Sequence, residues 1–161
     1  MTRGVLYIVA CAAPPVRTTR ELVAALPEWT ICVILTPTAA EWVDVDALAE
    51  QTGFPVRSAP RGPDDPRKLP PADLVLVAPA TFNTVNKWAA GISDNHALGV
   101  LNEAIGLRLP VLVGPWVKPT LAAHPAFGAS LAKLESWGVT LLPNEHDNPV
   151  DAVNRWSVGG R

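Results

Sequence analysis

Residues 75–95 read VLVAPATFNTVNKWAAGISDN, an apolar run that passes straight into Pro79-Ala80-Thr81-Phe82-Asn83-Thr84 and then into a helical pattern. Leu74-Val75-Leu76-Val77 offers no polar position on either side. Such a strand is covered on both faces, as in a parallel sheet between helices, whereas an antiparallel sheet with one wet face alternates apolar and polar residues. The helix expected from about Thr84 to Gly91 supplies part of that cover.

The same alternation extends outward in both directions. Toward the N-terminus, Val5-Leu6-Tyr7-Ile8-Val9 reads as a strand. A helix from about Thr19 to Leu26 follows, with Thr18 and Glu21 spaced as a capping box. Next come the strand Thr30–Leu35, a helix from Ala39 to Glu50 closed by Gly53, and a short strand at Pro55-Val56-Arg57. Beyond the opening stretch the pattern predicts a helix from Asn95 to Leu107, the strand Val111-Leu112-Val113, a helix from about Pro125 to Trp137, and the strand Val139-Thr140-Leu141-Leu142. The fold class is therefore α/β: a single doubly wound, Rossmann-like parallel sheet with helices on both faces. One domain is expected over residues 1–161, with residues from about 144 peripheral.

Composition excludes several classes. Hydrophobic residues make up 48% and charged residues 17% of the 161 positions, too apolar for a disordered chain. A net charge of -2, with both signs mixed along the sequence, leaves no footprint for nucleic acid. The stretch MTRGVLYIVACAAPP has a basic residue before an apolar run, but the run is short, β-branched and stopped by Pro14-Pro15, so it reads as a strand and not as a leader. With no apolar segment of spanning length, no membrane partner is expected and the location expected is cytoplasmic. Cys11 and Cys32 sit in or beside apolar runs and no CxxC or HExxH pattern occurs, so no metal site is expected.

Two segments break the regularity: Ala59–Pro71, with five prolines, and Gly114–Pro125. Proline usually makes stiff surface connections. In an open α/β sheet, however, ligands bind beyond the carboxyl ends of the strands, and the first segment leads into one central strand while the second leaves another. The first strand is followed by ACAAPPVRTTRE, without G-x-G-x-x-G or a Walker lysine, which disfavours a standard dinucleotide or nucleoside triphosphate site. Small and hydroxyl residues recur at three strand-to-helix junctions: Ala12 to Thr18, Thr36-Pro37-Thr38, and Ala80-Thr81-Phe82-Asn83. Each alone reads as helix capping. Together on one sheet edge they suit a mononucleotide, whose phosphate a helix N-terminus can hold.

APATFNTVNKWAAGISDN resembles the flavin motif of the homo-oligomeric flavin-containing cysteine decarboxylases, the family of phosphopantothenoylcysteine decarboxylase and the lantibiotic peptidyl-cysteine decarboxylases. Their Pro-Ala-Ser-Ala-Asn-Thr motif is matched at Pro79, Ala80, Asn83 and Thr84, with Thr81 for Ser and Phe82 for Ala, and Lys87, Gly91, Asp94 and Asn95 also fit. LTPTAAEW resembles the family's Thr-Pro-Ser-Ala segment, with Trp42 at an aromatic position. By order of elements the resemblance spans roughly residues 4 to 143. It implies FMN as cofactor, held by Cys11 and Ala12 after the first strand, by Thr36, Thr38 and Trp42 after the second, and by Ala78, Pro79, Ala80, Thr81 and Asn83 in the motif. It also implies a homo-oligomer, trimer-based (trimer or dodecamer), that completes the flavin site across a subunit boundary, with Asn95–Leu107 offering an apolar helix.

The reaction implied by the resemblance is oxidation of a cysteine side chain to a thioaldehyde that loses carbon dioxide and leaves an enethiol. The substrate would be a small thiol or a peptide, C-terminal peptidyl-cysteine or a related cysteine conjugate, with a place in secondary metabolism. The family's histidine base falls at Asp65, in GPDDPRKLPPAD, where no histidine stands. The family's Pro-x-Met-Asn-x-x-Met substrate loop falls at Pro115–Leu121, where Val117 and Leu121 replace the methionines and Lys118 the asparagine. Asp65 is thus the candidate base and Lys118 the candidate carboxylate anchor. His124 and His146 are rival bases, His96 an interface or capping residue, and Trp116 a wall over a flavin ring. The alternative reading is a flavin-binding protein of the same fold whose decarboxylase chemistry is lost or changed. A third, a regulator of CheY-like outline, lacks the acidic cluster such a protein needs after its first strand.

Overall fold

The computed structural model describes residues 1–65, 68–143 and 148–156. Five strands, β1 (Val5–Ala10), β2 (Thr30–Leu35), β3 (Leu74–Ala80), β4 (Val111–Pro115) and β5 (Val139–Leu141), form one sheet in the order β2-β1-β3-β4-β5. All four neighbouring pairs are parallel. The chain runs outward from β1 to β2, crosses back to β3 and then continues in one direction. That reversal, between β1 and β3, is where an open α/β sheet forms its ligand crevice.

Successive residues of each inner strand feed opposite faces. Leu6, Ile8, Leu74 and Leu76 join a core with Leu26, just after α1 (Thr19–Ala24), and with Val23, Leu48 and Val153, supplied by α1, α3 (Val45–Thr52) and α8 (Pro149–Arg155). Val9, Val75 and Val77 join the opposite core with Val85, Trp88, Leu98, Leu101, Phe127 and Leu134, under α4 (Phe82–Ala89), α5 (His96–Gly106) and α7 (Pro125–Ser136). All seven residues of β3 are buried, and each fully buried leucine there contributes about 1.5–3 kcal/mol relative to exposure. Trp88 is fully buried, and its Nε1–H donates to the carbonyl of Leu101 at 3.2 Å, so this core carries no orphan indole.

Local chemistry explains where the helices differ from the sequence pattern. The expected helix from Ala39 to Glu50 is two helices, α2 (Pro37–Glu41) and α3, because Asp44 caps the second by accepting from the Ala47 N–H at 2.9 Å. Gly53 ends α3 in the left-handed region at φ 78°. The Thr18–Glu21 capping box does not form: a 3₁₀ turn over Pro14–Thr18 precedes α1, and the Thr18 hydroxyl donates to the Pro15 carbonyl instead. Of Pro55-Val56-Arg57, only Arg57 bridges, to Ile34 beyond the edge of β2. The short helix α6 (Pro119–Ala122) and α8 were not in the sequence pattern. In α8, Ala152 and Val153 are buried. Arg3 fastens this helix by donating to the carbonyls of Asn154 and Trp156. Trp156 meets Trp29 with ring centroids 5.8 Å apart.

Candidate functional site

The carboxyl ends of β1 and β3 meet at the reversal, and short hydrogen bonds tie the loops leaving them. The Cys11 N–H donates to the Pro79 carbonyl at 2.9 Å, the Thr36 N–H to the Ala10 carbonyl at 3.1 Å, and the Trp116 N–H to the Ala80 carbonyl at 2.9 Å. The loops after β1, β2, β3 and β4 thus line one edge. The register of β3 against β4 shifts between Val77 and Ala80, and the Ala78–Pro79 peptide is cis. Gly114 packs against this turn: a Cβ there would lie 3.6 Å from that of Ala78 and 3.3 Å from Leu142 Cδ1.

The motif residues form a hydroxyl–thiol cluster. Thr81 caps α4, its Oγ1 accepting from the Thr84 N–H at 3.4 Å and donating to Thr84 Oγ1 at 3.3 Å. The Cys11 thiol donates to the same Thr84 oxygen at 3.3 Å. Burial pushes the Cys11 thiol up, an effect opposed by hydrogen bonds from Thr84 and Thr81. Cys11 is therefore held as a neutral donor. After β2, the buried Thr36 caps α2 by accepting from the Ala39 N–H at 3.3 Å, which leaves Thr38 exposed in the first turn. Asn83 is exposed in the first turn of α4, and Ala12 is half-buried. Trp42 follows α2 with 42% of its surface exposed, and the Arg17 guanidinium lies 5.9 Å from its ring centroid.

These features fit a flavin mononucleotide. Ala78 and Ala80 are small and buried, so no bulky side chain fills the motif's turn. First-turn N–H groups of α4 lack intrahelical partners and face the same edge as the Thr38 hydroxyl and Asn83 amide, a donor set suited to a phosphate.

The two residues assigned to chemistry sit on loops that adjoin different strands. Asp65 Oδ2 accepts from Arg57 Nη1 at 2.7 Å, with side-chain exposures of 29% and 13%. Arg57 runs beside β2, with its N–H on the Val33 carbonyl. Lys118 caps α6 through its backbone carbonyl, which accepts from the Leu121 and Ala122 N–H groups at 2.9 Å, and its side chain is exposed, with no hydrogen-bond or ion-pair partner among the described residues. From Arg57 through β2, β1 and β3 to β4 is four strand steps, on the order of 19 Å at the usual strand spacing.

On the substrate loop, Trp116 and Leu121 are exposed and Val117 is partly buried against the α4–α7 core. His124 caps α7, its Nδ1 accepting from the Ala126 N–H at 3.0 Å, and meets the edge of Phe82 at 5.7 Å. With Nδ1 accepting from the backbone, Nε2 is the ring nitrogen on the far side from the helix start. Phe82 also stacks on Phe127. Asn95, and not His96, caps α5. His96 is half-buried, its proton affinity lowered by burial and then by the Arg57 charge, against a smaller opposing effect of Glu103. His146 lies outside the described residues. Sequence reading missed Arg57 as the partner of Asp65, Thr84 as the centre of the cluster and Arg17 beside Trp42. Only Thr84 carried a signal, its place in the motif.

The family profile described as Flavoprotein matches residues 20–156. The coenzyme A biosynthesis bifunctional protein CoaBC of Thermococcus kodakarensis is 38% identical over 71 residues, 44% of this chain and 17% of that protein. Phosphopantothenoylcysteine decarboxylase of Mus musculus is 38% identical over 72 residues, 45% of this chain and 35% of its own length. The matched stretch thus spans well under half of either relative. Among solved structures, the FMN-dependent cysteine decarboxylase TvaF from thioviridamide biosynthesis superposes with a TM-score of 0.72 at 23% identity, covering 93% of this chain and 94% of that one. At that identity the likeness concerns the fold. With the profile covering most of the sequence and the site's hydroxyl and small residues gathered at the sheet reversal, the chain belongs to the Flavoprotein family.

Proposed function

We propose that this chain binds FMN at the reversal between β1 and β3 and catalyses the oxidative decarboxylation of a cysteine carboxylate, carried by a C-terminal peptidyl-cysteine or a related cysteine conjugate. The observation that carries the reading is the Cys11–Thr84–Thr81 cluster at the start of α4, with small residues on each side. Relatives named as phosphopantothenoylcysteine decarboxylase and a neighbour titled an FMN-dependent cysteine decarboxylase support it. Bound FMN supplies the two-electron oxidation of the substrate's thiol-bearing carbon. Thr38, Thr81 and Asn83 hold its polar groups, Trp42 and Trp116 flank its ring, and Val117 and Leu121 bound the substrate loop.

Asp65 takes a proton from the substrate and Lys118 pairs with its carboxylate until carbon dioxide leaves. In this reading a shared substrate is met by Asp65 of one copy and Lys118 of another. That accords with the trimer-based homo-oligomer the resemblance implies. The reading carries with it a cytoplasmic enzyme of secondary metabolism, with no nucleic-acid or membrane partner.

One observation favours a second reading, a flavin-binding protein without this chemistry. The Asp65 carboxylate is engaged by the Arg57 guanidinium at 2.7 Å. Mass spectrometry for loss of carbon dioxide from cysteine-terminated peptides and from phosphopantothenoylcysteine decides between them. Asp65→Asn is expected to lower turnover on the order of a hundredfold or more. Lys118→Ala is expected to lower kcat/KM by about tenfold to a hundredfold. Turnover that ignores both changes overturns the roles. No turnover on either substrate class selects the binding protein.

A further inference from the structure

Phe82 is the residue of the flavin motif that a flavin does not account for. It stands where the resemblance places alanine, as the first residue of α4, and its ring is half-buried. The ring packs on the start of α7. It stacks on the buried Phe127, with centroids 6.0 Å apart and planes 27° from parallel, and meets the His124 ring nearly at right angles at 5.7 Å. Both are geometries that aromatic pairs favour.

These contacts matter because of what precedes His124. From Lys118 to Ala126 every residue is exposed, and α6, four residues long, buries no side chain. Its hydrogen bonds are local: the Ala122 N–H donates to the Lys118 carbonyl at 2.9 Å, the Ala123 N–H to the Pro119 carbonyl at 3.0 Å, and the His124 N–H to the Leu121 carbonyl at 3.0 Å. A single helical turn does not persist in water by itself, so the loop keeps its shape only while both ends are held. The near end is held by the Trp116 N–H on the Ala80 carbonyl and by Val117, packed into the α4–α7 core. At the far end stands His124, its ring against Phe82 and its Nδ1 on the Ala126 N–H. Helix α7 is fastened to α4 separately, further along, where Ser130 Oγ donates to Asn86 Oδ1 at 2.7 Å.

We propose that Phe82 is a positioning residue: by bracketing His124 against α4 it fixes the far end of the loop after β4, and with it the place of Lys118 and Leu121 relative to the flavin motif. The role rests on the decarboxylase reading for what the loop grips, and on the packing alone for how the loop is held. Alanine at this position would leave the far end without its bracket.

The test is hydrogen–deuterium exchange of the full chain, with and without FMN, read by mass spectrometry on the peptide spanning residues 118–126. Four variants are compared with the parent: Phe82→Leu, Phe82→Tyr, His124→Asn, and Phe82→Leu combined with His124→Asn. Leucine keeps apolar volume without a ring, tyrosine keeps the ring, and asparagine keeps an acceptor for the α7 cap. Exchange in this peptide is expected to rise about threefold to tenfold in Phe82→Leu and to stay at the parent rate in Phe82→Tyr. His124→Asn is expected to match Phe82→Leu, and the double variant to exceed neither. Peptides from β3 and from α7 beyond Ser130 are expected to exchange as in the parent. Flavin absorbance of the same samples reports the cofactor reading separately: a chain that takes up no flavin yet loosens its loop in this pattern overturns that reading and upholds this one. Exchange unchanged in Phe82→Leu, equal loosening in Phe82→Tyr, additive effects of the two sites, loosening that spreads through α4 and α7, or a loop already unprotected in the parent overturns the proposal.

Discussion

At the scale of single residues, the two thiols are set by burial. Cys32 is completely buried in β2, and its pKa is pushed by desolvation from 9.0 up to about 11. Since the thiolate is the reactive form, neither Cys32 nor the buried Cys11 should react with iodoacetamide in the folded protein at neutral pH. Both should react once the chain is unfolded, and mass spectrometry of labelled protein counts the adducts. The sign of the linked stability follows from the same shift. Between pH 9 and about 11 the unfolded thiol has lost the proton that folded Cys32 keeps. Its contribution is therefore complete below pH 9 and disappears as pH rises through about 11. Asp65 makes the opposite point about legibility. Its position in the sequence marked it as a replacement for a base, but only the fold brings Arg57, eight residues earlier, to 2.7 Å from its carboxylate.

At the scale of elements, capping decides where helices begin. Asn95 Oδ1 accepts from the Leu98 N–H at 2.8 Å and opens α5, one of the three helices that cover one face of the sheet. Asn95→Ala should cost about 1 kcal/mol of stability. In a chain of this length that lowers Tm by roughly 2–4 °C, measured by thermal unfolding. A larger loss would mean that Asn95 does more than cap. The strands were legible because they are buried on both faces and read as unbroken apolar runs, β3 above all. The break between α2 and α3 was not, because Trp42 and Val43 continue an apolar pattern and only the Asp44 cap interrupts it. The α8 helix escaped because its packed face, Ala152 and Val153 with the partly buried Val150, offers too few apolar positions to show a period. At the flavin edge the three hydroxyl-bearing junctions were legible as a group, whereas the way Thr84 ties Cys11 to Thr81 needed β1 and β3 side by side.

At the scale of the whole molecule, the strand order places the candidate flavin residues at one crevice, with Asp65 on the loop beyond the β2 edge and Lys118 on the loop after β4. The proposed catalytic pairing is one between copies of the chain. Light scattering of the flavin-loaded protein at micromolar concentration is expected to give a trimer or a multiple of it. A monomer that keeps its flavin would remove the shared site. Trp42, Trp116, Leu121 and Trp137, each about two-fifths exposed, are surfaces such an assembly could cover, and the size of the oligomer bears on all of them together. Beneath that question lies the cofactor itself, on which the chemistry and the assembly both depend. Its most direct measurement is the visible absorbance of the purified chain after reconstitution with FMN, FAD or riboflavin and removal of unbound flavin. Retention of FMN in preference to the other two is predicted, because the first turn of α4 and the Thr36–Thr38 junction offer donors for one phosphate and the sequence lacks the glycine-rich turn of a dinucleotide site. Retention of no flavin, or preference for FAD, would contradict the account.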